Sequence, residues 1–386
     1  MKIGLVLSSF PGYSETFIYN KIKILIDQGH EVSLFISNRN KKTVNLDLAI
    51  YYEVSLKNKF HFLQTVMRAM IFHPLVCLRF IKIERANNAN WVYILKRLIL
   101  NSHFIGKSLD WLHFCFATVA IGKENISESI GAKSAVSLRG FDISIYPHMN
   151  SNCYDLLWKK IDKVHSISDD LYKQAIDLGL SPNTPYQKIR PAINTHFFKS
   201  TSSQKIHQPI RILTVGRLVW KKGYEYLLKA LLLLKDNNIE FEYHIIGDGD
   251  SRESILFTID QMNLQDKIDI KGQLYKDDVK KEMEWADIYI QPSIQEGFCN
   301  ALLEAQCMGL ICISTTAEGL SENIINNKTG FLISKRDPNK IFNKILEVLS
   351  MKFEEYSQIR NNARFRVEKE FSLDVQKFFF KTFYFS

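Results

Sequence analysis

The sequence predicts an α/β chain folded as two doubly wound domains. Apolar runs of strand length alternate with segments of helix length from end to end, the pattern of parallel α/β folds. A polar, proline-containing stretch, Ser200–Pro209, divides the alternation into two halves, each about the size of one such domain. The length of 386 residues suits two domains at roughly 100–200 residues each. Hydrophobic residues at 46% and charged residues at 24% are ordinary globular composition and argue against long disorder.

In the first half, strands are expected at Lys2–Ser8, Glu31–Ile36, Trp111–Phe114, Ala135–Leu138 and Lys163–Ile167. The segment Glu15–Gln28 reads as a helix with Ser14 as its N-cap. In the second half, strands are expected at Ile210–Val215, Phe241–Ile246, Lys267–Ile270, Asp287–Gln291, Ile311–Ser314 and Gly330–Ile333, with helices between them. No repeat of solenoid period is present. The stretch Phe371–Ser386 holds seven aromatics in sixteen residues, so it must pack on something. The expected domains are 1–200 and 201–365, followed by a closing segment, 366–386. Two such domains facing each other place a ligand cleft at the carboxyl ends of both sheets.

Several classes are excluded. No apolar run reaches the roughly 18–20 residues that a transmembrane helix needs. The start, MKIGLVLSSF, lacks a signal-peptide cleavage pattern and reads as a first strand. The six cysteines are scattered without a Cys-x-x-Cys, so neither a zinc site nor a disulfide framework is indicated. A reduced, cytoplasmic enzyme is the expectation. The formal charge of +9 is concentrated. Between residues 57 and 107 stand Lys57, Lys59, Arg68, Arg79, Lys82, Arg85, Lys96, Arg97 and Lys107, against the single acid Glu84. These bases interleave with apolar and aromatic residues, as basic amphipathic helices do at anionic membrane surfaces or around a lipid-linked anionic substrate. The bland alternative is a solvated basic face on helices packed against a sheet. Nucleic acid is disfavoured because no recognition motif accompanies the charge.

Two constellations carry chemistry. The first is Gly216-Arg217-Leu218-Val219-Trp220-Lys221-Lys222-Gly223, between a strand and a helix. Residues there lie at a strand's carboxyl end beside a helix N-terminus, where anions bind. Gly216 permits a tight turn, and Arg217 and Lys222 can reach one diphosphate, as a fork and a point charge. Alone, the signal is weak, since a basic loop is usually just solvated. The second runs from Pro292 to Ala305, with Glu296 in the loop and Glu304 eight residues on in the helix. Ionised carboxylates only accept hydrogen bonds and so suit the hydroxyls of ribose and hexose. The amides of Gly297, Phe298 and Cys299, with Asn300 at the helix start, suit a phosphate or sugar oxygen. The alternative is an ordinary acidic helix start.

Together the motifs are specific. Gly-Arg-x(4)-Lys-Gly followed by Glu-Gly-Phe-x(5)-Glu resembles the donor domain of GT-B glycosyltransferases, specifically the retaining enzymes of family 4. Ile246-Gly247-Asp248-Gly249, Glu318–Glu322 with Lys328–Leu332, Val164–Ser168 and Arg190–Asn194 resemble further family motifs in order. The resemblance implies two Rossmann-like doubly wound domains facing a cleft, with the closing segment crossing back to the first. It implies transfer of a hexose from a UDP- or GDP-sugar to a growing, lipid-linked cell-surface polysaccharide at the inner membrane face. Arg217 and Lys222 would neutralise the leaving diphosphate. Glu304 would hold the ribose and Glu296 the donor sugar. Gly216, Gly247, Asp248, Gly297, Phe298, Cys299 and Asn300 would line the donor pocket. No cofactor or metal is implied. Asp248-Gly-Asp250, although of metal-binding form elsewhere, reads here as a strand-end turn.

On the acceptor side, the loop with Ser14, Glu15 and Thr16 resembles a subgroup acting in capsule or exopolysaccharide assembly. Ser137-Leu138-Arg139-Gly140-Phe141-Asp142 occupies the place of a family His-Gly-x-Asp. Arg139 would therefore offer, as a catalytic residue, a permanent cation near the transferred sugar or diphosphate in place of an imidazole, with Asp142 beside it on the acceptor side. Asn194 likewise replaces a family Asp. His113 reads as structural, with acceptor binding as the alternative. Two rivals stand beside this reading. One is a dinucleotide oxidoreductase, against which no Gly-x-Gly-x-x-Gly follows the first strand. The other is a non-catalytic nucleotide-sugar-binding scaffold, which loss of Arg217, Lys222 or Glu296 would have favoured.

Overall fold

The computed structural model describes residues 1–12, 16–38, 48–54, 59–199 and 205–385. The chain forms two units, Met1–Arg190 with Lys377–Ser386, and Pro191–Gln376.

The first unit is a seven-stranded parallel sheet in the order β3-β2-β1-β4-β5-β6-β7. Its strands are β1 (Lys2–Ser9), β2 (Glu31–Asn38), β3 (Ala49–Tyr52), β4 (Trp111–Phe114), β5 (Lys133–Leu138), β6 (Lys163–Ser166) and β7 (Tyr186–Lys188). The central strands are apolar on both faces, as a parallel sheet covered on both sides requires. Ile3, Leu5, Val6 and Leu7 of β1 are all buried, as are Leu34, Phe35 and Ile36 of β2. Four helices matter below: α1 (Thr16–Asp27), α2 (Lys59–Phe72), α3 (Pro74–Ala86) and α4 (Trp91–Leu100). The edge strands β3 and β7 escape the periodicity, because at four and three residues, none of them fully buried, they carry no apolar run.

The second unit holds a six-stranded parallel sheet in the order β10-β9-β8-β11-β12-β13. Its strands are β8 (Ile210–Val215), β9 (Phe241–Ile246), β10 (Ile268–Gly272), β11 (Ile288–Gln291), β12 (Ile311–Thr315) and β13 (Phe331–Ile333). In each sheet the order reverses direction beside the first strand: between β1 and β4, and between β8 and β11. The crevice outside the carboxyl ends at such a reversal is where doubly wound sheets bind ligands.

The closing segment returns to the first unit only from Lys377, rather than from 366. Residues 366–376 stay with the second unit because Phe371 is anchored there. Its carbonyl accepts from Ile193 N at 3.0 Å, and its ring lies 5.7 Å from that of Phe298. Phe380, Phe383 and Tyr384 then bury themselves in the first unit, with Trp111 Nε1 donating to Tyr384 O at 3.2 Å. Ser14 and Glu15 lie outside the described residues, as does the 200–204 part of the expected linker.

Candidate active site

The β8 loop and the β11 loop flank the reversal point of the second sheet, and short backbone contacts fix their shapes. Gly216 N donates to Ile246 O at 2.9 Å, and Leu218 N to Asp248 O at 3.0 Å. Gly247 has φ +145, and a Cβ there would lie 1.9 Å from Gly216 O, so only glycine lets β9 close onto this loop. The Asp248 carboxylate accepts from its neighbour Gly249 N at 2.9 Å, while Asp250 is exposed. Trp220–Lys222 make one 3-10 turn that ends at Gly223, in the left-handed region at φ +66. A Cβ on Gly223 would stand 2.3 Å from Pro292 O. With Ile294 N donating to Lys221 O at 2.8 Å, this contact staples the β8 loop to the β11 loop.

That staple delivers Lys222 to Glu296. The Lys222 side chain is buried, and its ammonium donates to the Glu296 carboxylate. Burial works against the ammonium, but the charge and hydrogen bond of Glu296 prevail and hold its pKa above the ordinary lysine range. Glu296 is held in turn by its backbone. Its amide donates to Glu318 Oε2 at 3.1 Å, and its carbonyl accepts from Gly319 N at 3.0 Å. Lys335 fixes Glu318 at 2.7 Å. Arg217 is exposed and makes no ion pair among the described residues. The pair thus leaves one cation pre-positioned and a second open to solvent on the same loop.

Glu304 lies on the helix Asn300–Met308 and is half-buried. Its carboxylate makes no hydrogen bond among the described residues, and burial pushes its pKa up to about 7, with Lys276 pulling the other way. Lys276 opens the helix after β10. The sequence reading missed it, although a lysine just past a strand's carboxyl end was the available signal. Cys299 departs from expectation. Its amide donates to Asn323 Oδ1 at 3.2 Å, and Asn323 Nδ2 returns a bond to Cys299 O at 3.0 Å, so that amide serves the loop rather than a ligand. Burial pushes its thiol up to about 11, with Lys222 opposing. Gly297 and Phe298 are buried, while Asn300 is half-exposed at the helix start. Asn194 caps its own turn, accepting from His196 N and Phe197 N at 3.1 Å each.

In the first unit, Asp142, expected on the acceptor side, is turned into the protein. It is fully buried, and its carboxylate collects the amides of Ala117 (3.0 Å), Arg139 (3.1 Å) and Gly140 (2.8 Å). A carboxylate with three amide donors ties the β4 and β5 loops together; burial nonetheless raises its pKa. The Arg139 guanidinium lies 4.1 Å over the Phe17 ring, and Thr16 is exposed at the start of α1. His113 is fully buried and structural. Its Nε2 is 2.9 Å from Lys21 Nζ and 2.8 Å from Ser137 Oγ, and its Nδ1 is 2.7 Å from Tyr384 Oη. Ser137 continues to His165 Nδ1 at 2.8 Å, and His165 Nε2 to Ile189 O at 3.0 Å. The sequence reading did not find Lys21, which stands among apolar neighbours of an ordinary helix. Among the described residues no cluster of three or more His, Cys, Asp or Glu is arranged to hold a metal ion.

Residues 197–366, which contain both loops, match the model of the family described as glycosyl transferases group 1. This stretch is a group 1 glycosyltransferase domain. The chain is accordingly a glycosyltransferase. It is 26% identical over 397 residues to WcaL of Escherichia coli K12, named for colanic acid biosynthesis, with 97% of each chain covered. It is 27% identical to the amylovoran biosynthesis glycosyltransferase AmsK of Erwinia amylovora, again with 97% of each covered. An Escherichia coli UDP-Gal:alpha-D-GlcNAc-diphosphoundecaprenol alpha-1,3-galactosyltransferase is 28% identical over 183 residues, 46% of this chain and 47% of that one. Among solved structures, Anabaena HepE in complex with UDP matches with a TM-score of 0.74 at 14% identity, covering 99% of this glycosyltransferase and 98% of HepE. The two parallel-sheet units are the GT-B fold.

Proposed function

We propose that this glycosyltransferase moves a hexose from a nucleotide diphosphate sugar to a growing polysaccharide carried on a lipid, with retention at the anomeric carbon, at the inner face of the cell membrane. The observation that carries the reading is the grouping at the β8–β11 reversal: Lys222 buried on Glu296, Arg217 exposed on the same loop, and Glu304 with no hydrogen-bond partner among the described residues. Charge develops on the diphosphate as the sugar–phosphate bond breaks. Lys222 meets that charge as a preorganised cation and Arg217 as a second cation on the same loop, without a metal. Glu304 accepts from the ribose hydroxyls. Glu296 orients Lys222 and accepts from donor-sugar hydroxyls, with the Gly297 and Phe298 amides beside it. Arg139 supplies a permanent cation on the acceptor side.

The relatives support the substrate classes. HepE is solved with UDP, WcaL and AmsK are named for colanic acid and amylovoran biosynthesis, and the galactosyltransferase is named for a GlcNAc-diphosphoundecaprenol. The test is incubation of the full chain with a panel of UDP- and GDP-hexoses and a polyprenyl-diphosphate-linked sugar, with the product's anomeric coupling read by NMR. An axial product from an axial donor is expected. An equatorial product overturns retention, and transfer only to lipid-free acceptors overturns the lipid-linked part.

A further inference from the structure

Helices α3 and α4 are held on the first unit by a buried triad rather than by apolar packing alone. Arg97 of α4 donates from Nη1 to Glu84 of α3 at 3.0 Å and from Nη2 to Glu124, and its Nε reaches Gly122 O at 3.0 Å. Asn125 Nδ2 donates to the other Glu84 oxygen at 3.0 Å. The only acid of the 57–107 stretch is therefore turned inward, and Arg97 with it. Among the described residues, every charge that these helices turn outward is positive: Arg68, Arg79, Lys82, Arg85 and Lys96.

On α3, Cys77, Phe80 and Glu84 face inward, and Leu75, Leu78, Arg79, Lys82 and Arg85 share the opposite face by helical spacing. The apolar members stand at its beginning, where they continue the end of α2 (Ile71, Phe72). At its other end Arg85 lies 5.2 Å from the Trp91 ring, and Trp91, Val92 and Leu95 open α4. These residues are far more exposed than large apolar side chains normally are in a monomer: Leu75 79%, Val92 78%, Phe72 70%, Trp91 56%. The 13 residues of α3 span about 20 Å, so a basic stripe lies between two apolar ends.

We propose that this surface seats the protein on an anionic lipid bilayer, with α3 lying in the plane of the interface. The α2–α3 corner and the start of α4 enter the acyl boundary, and Arg79, Lys82 and Arg85 meet the head groups. Uniform positive charge selects anionic lipid, and the apolar ends select a surface they can enter. Nucleic acid satisfies only the first condition, and a neutral protein groove only the second. Trp91 fits the head-group level, where its ring is half wet. The inference deepens the membrane-face part of the proposed function and does not depend on the transfer chemistry.

The test is flotation of the full chain with vesicles of phosphatidylcholine alone or with about 30% phosphatidylglycerol, alongside transfer to a lipid-free acceptor. Binding is expected only with phosphatidylglycerol. R79E/K82E/R85E should weaken it by about a hundredfold or more, at roughly fivefold per base near the surface. The charge-neutral variant L75N/V92N should weaken it by at least about tenfold, while turnover on the lipid-free acceptor is unchanged in both. Wild-type binding to neutral vesicles as strong as to anionic ones, or binding unaffected by L75N/V92N, overturns the proposal. So does a concentration-dependent dimer that L75N/V92N dissociates, which would assign the surface to a second copy. Absence of transfer by the wild type to the polyprenyl-diphosphate-linked acceptor would instead contradict the proposed function and leave vesicle binding standing.

Discussion

Lys222 and Glu296 are most simply understood as one charged unit. An ammonium buried without its carboxylate would shed its proton, whereas the pair keeps it charged and aimed. Lys222→Ala should lower turnover by roughly two to three orders of magnitude, as loss of a preorganised transition-state contact does, with circular dichroism unchanged; near wild-type turnover would remove Lys222 from the chemistry. Glu304 makes a pH prediction. With its pKa raised to about 7, the carboxyl is largely neutral below that pH and becomes an acceptor above it. Nucleoside diphosphate affinity should therefore rise with pH through about 7, by at most tenfold per unit, and calorimetry of Glu304→Gln should find this component gone. In the first unit, proton counting settles the buried chain. Ile189 O can only accept, so His165 carries its proton on Nε2, and Ser137 donates to His165 Nδ1. His113 Nε2–H then points to Ser137, and Tyr384 donates to His113 Nδ1. Lys21, facing that same N–H, fits as a neutral amine, in keeping with a pKa lowered to about 7 by burial, with Cys115 acting to raise it and Arg139 to lower it. A folded pKa depressed from 10.5 means stability gained as pH rises from about 7 to 10.5 and lost as it falls through 7. Melting of Lys21→Met should lack that dependence.

At the scale of elements, polar contacts do work that the sequence pattern hides. Arg97 bridges Glu84 and Glu124 across three segments, and each of these residues alone reads as a surface charge. Arg97→Met leaves two buried carboxylates without their cation and should destabilise the first unit by about 3–5 kcal/mol, measured by its denaturation midpoint. The strands and the two loops were legible because each rests on a local signal: an apolar run, a turn glycine, a strand-to-helix junction. The burial of Asp142 was not legible because a buried carboxylate gathering three amides has the sequence appearance of an exposed one. Cys299 was misread because its partner, Asn323, lies 24 residues away. The short edge strands β3 and β7 carried no apolar run to read.

Over the whole molecule, the C-terminal segment completes the first unit. Phe380, Phe383 and Tyr384 are buried there, and Lys163 Nζ donates to Phe383 O at 2.7 Å. Burial of three such aromatics is worth on the order of 5–9 kcal/mol, comparable with the whole stability of a domain. Deleting 377–386 should therefore unfold the first unit while leaving the second with its own transition, which hydrogen exchange can resolve segment by segment. The central claim is that the carboxyl edge of the second sheet binds the diphosphate of a nucleotide sugar. The most direct measurement is thermal denaturation of the full chain and of Lys222→Ala against UDP, GDP, ADP and NAD. The expected result is stabilisation by one nucleoside diphosphate, about 2.7 kcal/mol at a hundred times Kd, sharply reduced in Lys222→Ala. Stabilisation by NAD alone, or an equal shift in Lys222→Ala, would contradict it.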